Sequence, residues 1–325
     1  MQFPTIGKIR GMQQSSTTRG TFTCLALDHR QNLRRALNPA DPNSVPDSAL
    51  TDFKLEVTAA LAGEATAVLL DPEYSAAQAV AAAAIPKNAG LVVAVEATGY
   101  TGDPNARQSR ILPGWSVEKA KHMGASMIKL LVYYHPDAPT ASEIEEFTQQ
   151  VADDCKKHDL GVMLEPLSYP LDPNEKKLTS DEKRYVVVET ARRLTPLGVD
   201  LLKAEFPLDT ANTDESAWAV ACAEVSTASV VPWILLSAAV DFKSFLRQVT
   251  VACNAGASGI AVGRAVWKEA VVMTPEARAV FLQTTARSRL ARLTSLCTAL
   301  AKPWQDFHPN LEQSVPEGWY AQYDS

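Results

Sequence analysis

The stretch VDLLKAEFP (199–207) reads as a β-strand, yet a lysine and a glutamate interrupt its apolar run. Side chains alternate across a strand, so Leu201, Lys203 and Glu205 share one face while Leu202, Ala204 and Phe206 share the other. A desolvated ammonium is costly unless it is paired or neutralised. A second lysine, Lys129, lies inside ASMIKLLVYY (125–134), and Glu165 lies inside GVMLEPL (161–167). Two ammonium groups close together in a poorly solvated cavity would each lower the other's pKa, and burial pushes the same way. A lysine that loses its proton near neutral pH is a nucleophile able to form a Schiff base with a ketone. A carboxylate flanked by apolar residues would have a raised pKa and suit proton transfer. The competing reading makes Lys203 a structural ion-pair partner of Glu205 or Glu165, with Glu165 only neutralising the lysines. Spacing alone does not choose between Lys129 and Lys203 as nucleophile.

Eight short apolar runs could position these groups: FTCLALD (22–28), TAVLLDP (66–72), GLVVAVE (90–96), 125–134, 161–167, DLLKAEFP (200–207), WILLSAA (233–239) and GIAVGRA (259–265). Between them lie stretches of helical periodicity, among them 48–63, 142–159, 180–198 and 242–256, several opening on a Ser, Thr or Asp cap. Strands that alternate with helices are parallel and joined by crossovers, and near-continuous apolarity fits strands covered on both sides. The spacing predicts an α/β fold, a single-domain (β/α)8 TIM barrel, which takes about 250 residues. A doubly wound open sheet is the rival; no G-x-G-x-x-G follows the first run, and the repeat count reaches eight. The single domain is expected to span 1–325, with 1–20 packing over the barrel bottom and the Pro- and aromatic-rich tail 303–325 docking on the surface or on another subunit.

Barrel chemistry sits where strands end, at the C-terminal mouth. The first run ends in Asp28, His29 and Arg30, the second in Asp71 and Glu73, the third in Glu96, and the seventh and eighth in Ser237 and in Gly263 and Arg264. The last two ends, LLSAAV and AVGRAV, combine small residues (Ser237, Ala238, Ala239, Gly263) with one arginine. Loops after these two strands form a phosphate site in many barrels, where backbone N–H groups approach the anion and an arginine adds a bidentate contact. The loop SYPLDPNEKKLTS (168–180) is a candidate lid carrying Lys176 or Lys177 to a second phosphate, although a solvated charge run is the commoner explanation.

Bulk properties narrow the function classes. The chain has 325 residues and a formal net charge of −6, so no basic surplus exists to neutralise nucleic-acid phosphates. The five cysteines are widely spaced with no C-x-x-C pair, which argues against a disulfide framework or structural zinc and for a reducing cytosol. No apolar run is long enough for a membrane span, and the start lacks a signal-peptide core. The histidines are scattered, leaving Mg²⁺ on the acidic mouth as a minor possibility. A soluble cytoplasmic protein is expected, without nucleic-acid or membrane partners.

On LALDHR, LLDPEYS, EATGY, WSVEKAKHMGASMIKLLVYY, GVDLLKAEFP, WILLSAAVDFKSF and AGASGIAVGRAVWKEA, which together run from about 22 to 270, the chain resembles the class I tagatose-1,6-bisphosphate aldolase family and its sulfofructosephosphate aldolase relatives. The resemblance implies that Lys203 is the Schiff-base lysine and Glu165 the proton shuttle, with Asp28 and Lys129 assisting around the carbonyl and hydroxyl groups. It implies that Ser237 and Arg264, with backbone amides around Ala238, Ala239 and Gly263, hold the C1 phosphate; Arg30 and His29 are counted with the substrate-binding residues. His29 stands where glutamine is expected, Ala239 where glycine is expected, and Ala97 where lysine is expected. The implied activity is metal- and cofactor-free cleavage of a ketose 1,6-bisphosphate to dihydroxyacetone phosphate and glyceraldehyde 3-phosphate. A homo-oligomer and a small sugar-phosphate substrate are the expected partners. The alternatives are cleavage of 6-deoxy-6-sulfofructose 1-phosphate to dihydroxyacetone phosphate and sulfolactaldehyde, and a non-catalytic sugar-phosphate-sensing barrel.

Overall fold

Alternation along each strand decides which side chains meet at the centre of the molecule. The computed structural model describes residues 4–209, 211–238, 240–311, 315, 317–321 and 323. Its strands are β1 (Phe22–Ala26), β2 (Ala67–Leu70), β3 (Gly90–Ala94), β4 (Thr101–Asp103), β5 (Ala106–Gln108), β6 (Met127–Tyr133), β7 (Gly161–Leu167), β8 (Leu201–Ala204), β9 (Trp233–Leu236) and β10 (Gly259–Val262). Eight of them, β1, β2, β3, β6, β7, β8, β9 and β10, pair in parallel in that order, and β10 returns to β1 to close the barrel. The expected (β/α)8 architecture is therefore present.

Closure depends on a close backbone approach between the first and last strands, where Phe22 lies opposite Gly259. Gly259 has φ +144°, and a Cβ there would overlap the Phe22 carbonyl oxygen, so only glycine fits. Inside the barrel, Phe22, Cys24, Leu69, Val92, Met127, Met163, Leu201, Ile234 and Ala261 form one buried cluster. Outside, Leu25, Val68, Val93, Ile128, Leu164, Leu202 and Ala204 join a second cluster with the surrounding helices. Leu201 and Leu202 thus fall on opposite faces, as the alternation requires. Lys129, Glu165 and Lys203 each stand two residues beyond an inward residue (Met127, Met163 and Leu201), which places all three on the inner wall one layer higher.

The helices between the strands carry local signals for their starts. Thr179 and Glu182 form a reciprocal capping box at Ser180–Leu194, and Asp241 caps Phe242–Asn254 through the N–H groups of Lys243 and Ser244. The other two helices anticipated by periodicity are Asp47–Leu61 and Ala141–Lys157. Two features were not anticipated. The hairpin of β4 and β5 interrupts the crossover after β3, and the Arg107 guanidinium on it lies 4.5 Å from the Tyr100 ring and 4.4 Å from the Tyr169 ring. A helical segment from Pro275 to Leu300, with a π turn at Leu282–Ala286, packs over the β10–β1 side.

Two buried side chains from outside the strands complete the inner cluster. Met12, on the helix Ile6–Gln14, and Trp304 belong to the inner cluster. The Trp304 indole N–H donates to Ser16 Oγ at 3.2 Å and its backbone N–H to the Gly20 carbonyl at 2.9 Å. The tail thus begins as a buried stopper. All five cysteines are buried and free. Truncating a buried tryptophan removes its transfer free energy and leaves a cavity, so Trp304→Ala is expected to lower stability by about 3–5 kcal/mol; a urea unfolding curve that scarcely moves would show that the stopper is dispensable.

Candidate active site

Three carboxylates converge on one buried ammonium at the barrel mouth. Lys129 Nζ lies 2.7 Å from Asp28 Oδ2, 2.7 Å from Glu96 Oε1 and 2.9 Å from Glu165 Oε2. Glu165 Oε2 is shared, standing also 2.7 Å from Lys203 Nζ. Asp28 and Glu96 stand two residues beyond β1 and β3, while Lys129, Glu165 and Lys203 lie within β6, β7 and β8, so barrel closure brings them together. The Lys129 side chain is 1% exposed, that of Lys203 5%. Glu96 also accepts from the Leu131 backbone N–H at 3.1 Å, fixing its second oxygen.

These pairings reverse two expectations about charge. Burial alone would lower the Lys129 pKa, but Asp28, Glu165 and Glu96 outweigh it and hold the ammonium well above its ordinary 10.5. The expected mutual depression of two lysines therefore fails for Lys129, because the intervening carboxylates dominate over lysine–lysine repulsion. Burial alone would raise Glu165, yet Lys129 and Lys203 pull it below its ordinary range, so it is a carboxylate rather than a raised acid. Asp28 is likewise held well below 3.8: burial opposes ionisation, and Lys129 and Lys203 overcome it. Glu96 is the one raised carboxyl of the trio, through burial and the neighbouring Asp28 charge, against the pull of Lys129. It was legible as a strand-end acid but not as part of the cluster.

The cluster forms the floor of a cavity of about 580 Å³. Its walls include Ser237, Ala238, Gly263, Arg264, His29 and Arg30; Ala239 lies outside the described residues. A Cβ at Gly263 would stand 2.7 Å from the Ala26 carbonyl oxygen, so the chain turns there only without one. Ala238 adopts φ +41°, a left-handed conformation that costs a non-glycine residue roughly 1–2 kcal/mol. Arg264 is partly buried, and burial lowers its pKa against the pull of Asp28 and Glu165. Burial also drives His29 to about 4 despite Asp28, with Arg264 and Lys203 adding to the fall, so its ring is neutral at pH 7. The His29 ring meets Trp267 edge-on, and its Nδ1 is buried without a hydrogen-bond partner.

Other charged residues are committed elsewhere. Arg30 donates to Glu73 Oε2 at 2.8 Å and to the Glu96 carbonyl at 2.9 Å, bracing the tops of the first three strands. Glu205, the strand partner of Lys203, accepts from the Ser168 backbone N–H and hydroxyl, and Lys183 stands 3.6 Å away. The ion pair between Lys203 and Glu205 weighed from spacing is absent among the described residues; Glu165 takes that place. Lys177 pairs with Asp209, and neither it nor Lys176 lines the cavity. Asp71 forms a separate buried pair with Lys54. Arg35, Thr98 and Tyr133 line the walls without having been singled out in the sequence; position on a helix or after a strand carried no signal for them.

A parallel barrel that gathers two lysines and three carboxylates at its C-terminal mouth has the layout of a barrel enzyme's active site. Residues 22–269 match the family described as DeoC/LacD family aldolase, and the chain belongs to that family. The chain is 31% identical to tagatose 1,6-diphosphate aldolase 2 of Enterococcus faecalis, covering 92% of this chain and 96% of that one. It is 29% identical to tagatose 1,6-diphosphate aldolase of Listeria monocytogenes, covering 92% and 94%. Its fold is similar to that of a Plasmodium falciparum fructose-bisphosphate aldolase (TM-score 0.71, 13% identity, 93% and 98% coverage) and an archaeal fructose 1,6-bisphosphate aldolase (0.59, 22%, 90% and 99%). The chain is an aldolase.

The cluster makes stability depend on pH at both ends. Asp28, depressed in the fold, contributes fully above its ordinary 3.8 and loses that contribution as acid carries pH through its folded value. Lys129, raised in the fold, contributes fully below 10.5 and loses it as alkali carries pH through its folded value. Lys129→Met strips the shared cation and is expected to cost about 3–5 kcal/mol at pH 7. That deficit should shrink as pH falls and the stranded carboxyls take up protons; a denaturation series showing a pH-independent deficit would contradict the charge argument.

Proposed function

We propose that the chain is a class I aldolase that cleaves a ketose 1,6-bisphosphate, tagatose 1,6-bisphosphate-like, to dihydroxyacetone phosphate and glyceraldehyde 3-phosphate. One observation carries the assignment of roles: Lys203 Nζ reaches the cavity with a single carboxylate oxygen, Glu165 Oε2, at 2.7 Å. Lys129, by contrast, is held by three carboxylates and stays an ammonium. Lys203 is therefore the nucleophile and Lys129 a fixed cation. The names carried by the relatives support the sugar bisphosphate; neither the sulfonated sugar nor a non-catalytic sensor gains support from them.

In this reading Lys203 passes a proton to Glu165 only as its nitrogen attacks the C2 ketone, so the carboxyl is protonated while the carbinolamine stands and not at rest. The carbinolamine loses water to leave an iminium, a cation that replaces the ammonium beside Glu165. Glu165, again a carboxylate after passing its proton to the departing hydroxyl, takes the C4 hydroxyl proton. The C3–C4 bond breaks, its electrons enter the iminium to give an enamine, and the aldehyde leaves. Protonation at C3 restores the iminium, and water hydrolyses it to dihydroxyacetone phosphate and free Lys203. The Lys129 ammonium and Asp28 orient the hydroxyls, and Ser237, the amides near Ala238 and Gly263, and Arg264 hold the C1 phosphate.

We further propose that the chain works as one domain, with 4–20 packed over the barrel bottom and the tail from 303 docked on the surface, as a cytoplasmic homo-oligomer; 1–3 and 312–314, with 316, 322, 324 and 325, lie outside the described residues. The buried, reduced cysteines support a reducing compartment. Among the described residues no helix is long and apolar enough to cross a membrane.

Borohydride reduction in the presence of dihydroxyacetone phosphate is expected to trap one adduct per chain, located on Lys203 by peptide mapping. An adduct on another lysine, or activity abolished by EDTA, would reject the mechanism.

A further inference from the structure

Four strands surround the Glu165–Lys203 pair, and they are not evenly joined. β7 stays in register with β6 to its last residue, through Leu131–Glu165, Val132–Pro166 and Tyr133–Leu167. β8 stays in register with β9 through Lys203–Ile234 and Ala204–Leu235. Between β7 and β8, pairing among the described residues ends at Leu164–Leu202, one residue short of both Glu165 and Lys203. The carboxylate and the amine therefore sit on two separately held strand ends, and their 2.7 Å approach spans the opening.

Pro166 accounts for the opening. Backbone N–H groups along a strand point alternately to its two neighbours. The Val162 N–H goes to Asp200 Oδ2 at 2.9 Å and the Ser168 N–H to Glu205 Oε2 at 2.7 Å, so the even-numbered residues here turn their donors toward β8. Pro166 has the same parity and no N–H, and the ladder stops where that donor is missing. A small cavity of about 10 Å³ lies in the gap, with Pro166, Ser168, Leu202, Ala204 and Glu205 in its lining.

One side chain bridges the gap above it. Glu205 Oε2 accepts from the Ser168 N–H at 2.7 Å and from the Ser168 hydroxyl at 2.5 Å. Its other oxygen stands 3.6 Å from Lys183 Nζ, on the helix Ser180–Leu194. Ser168 lies three residues beyond Glu165, and Glu205 two beyond Lys203, so the bridge joins the strands just past the pair. The Glu205 side chain is 13% exposed, and bonds to a charged acceptor with little competing water are strong. With its oxygens spent on Ser168 and Lys183, Glu205 leaves Lys203 to Glu165.

We infer that Glu205 is a positioning residue: its bonds to Ser168 replace the backbone ladder that Pro166 interrupts and set the distance between Glu165 and the Lys203 amine. The inference rests on the roles proposed above for Lys203 and Glu165, and Glu205 acts on the reaction through them. A shift of about 1 Å between a proton acceptor and its donor is enough to slow a reaction by roughly a hundredfold.

The test compares Glu205→Ala, Glu205→Gln and Ser168→Ala with wild type, each shown to be folded by thermal melting. Glu205→Ala removes the bridge. Its kcat, and its single-turnover rate of borohydride-trapped adduct on Lys203, are expected to fall about tenfold or more, with KM within a factor of about two of wild type. Glu205→Gln keeps a carbonyl oxygen for both Ser168 donors and should recover most of the rate. Ser168→Ala keeps the amide donor and should lie between the two; it carries the test by itself if Glu205→Ala does not fold. Unchanged rates, a rise in KM in place of the fall in kcat, or a Glu205→Gln as slow as Glu205→Ala overturns the inference. Unfolding of Glu165→Gln, Glu205→Ala and the double variant reads the bridge without turnover: the cost of Glu205→Ala should shrink once Glu165 is glutamine, and equal costs overturn the inference. If wild type forms no adduct on Lys203 while those costs still differ, the proposed mechanism fails and the bridge stands.

Discussion

One ammonium group organises the mouth of this barrel. Lys129 Nζ is the common partner of Asp28, Glu96 and Glu165, carried by three different strands. Without it, three negative charges would face one another where water is largely excluded, and such an arrangement would shed charge or push its strands apart. A single buried ion pair often does no better than an apolar pair of the same shape. Here the cation has three partners and its acids have further donors, Lys203 for Glu165 and the Leu131 amide for Glu96, so the cluster is satisfied as a network.

The proposed division of labour between the two lysines rests on that count. An amine surrounded by three carboxylates is a poor nucleophile, because its lone pair is occupied by a proton that the surroundings favour. An amine facing one shared carboxylate oxygen has an acceptor for that proton within 2.7 Å. The same shared oxygen serves both lysines, so in the proposed mechanism Glu165 stands between a fixed cation and the amine that attacks the ketone. Tuning here works through unequal numbers of partners, not through burial as such.

The barrel was legible because its strands are short, apolar and regularly spaced, and because alternation fixes the face of every residue once the axis is known. Lys203, Glu165 and Asp28 were legible for the same reason: a charge inside or at the end of an apolar run is conspicuous. The protonation states were not, because a pKa depends on how many charges converge in space. Lys129, Glu96 and Glu165 are separated by tens of positions in the chain, and nothing in their local sequence states that all meet at one nitrogen. Glu205 and Glu165 were both open as partners of Lys203 from spacing; Glu165 pairs with it, and the Ser168 amide and hydroxyl hold Glu205, as loop geometry alone could show. Arg35 was invisible because an arginine on a polar helix is unremarkable until the cavity wall is known. The plug formed by Trp304 was equally hidden, since an aromatic-rich tail is compatible with many docking sites.

The central claim is that Lys129 is a permanent cation and Lys203 the reactive amine. Nitrogen-15 NMR of lysine side chains, assigned with Lys129→Met and Lys203→Met, reports the charge of each group directly across a pH titration. The account predicts that the Lys129 signal stays that of an ammonium beyond pH 10.5, the ordinary limit for a lysine. A Lys129 resonance that titrates at or below that pH would contradict it, and with it the assignment of roles at the site.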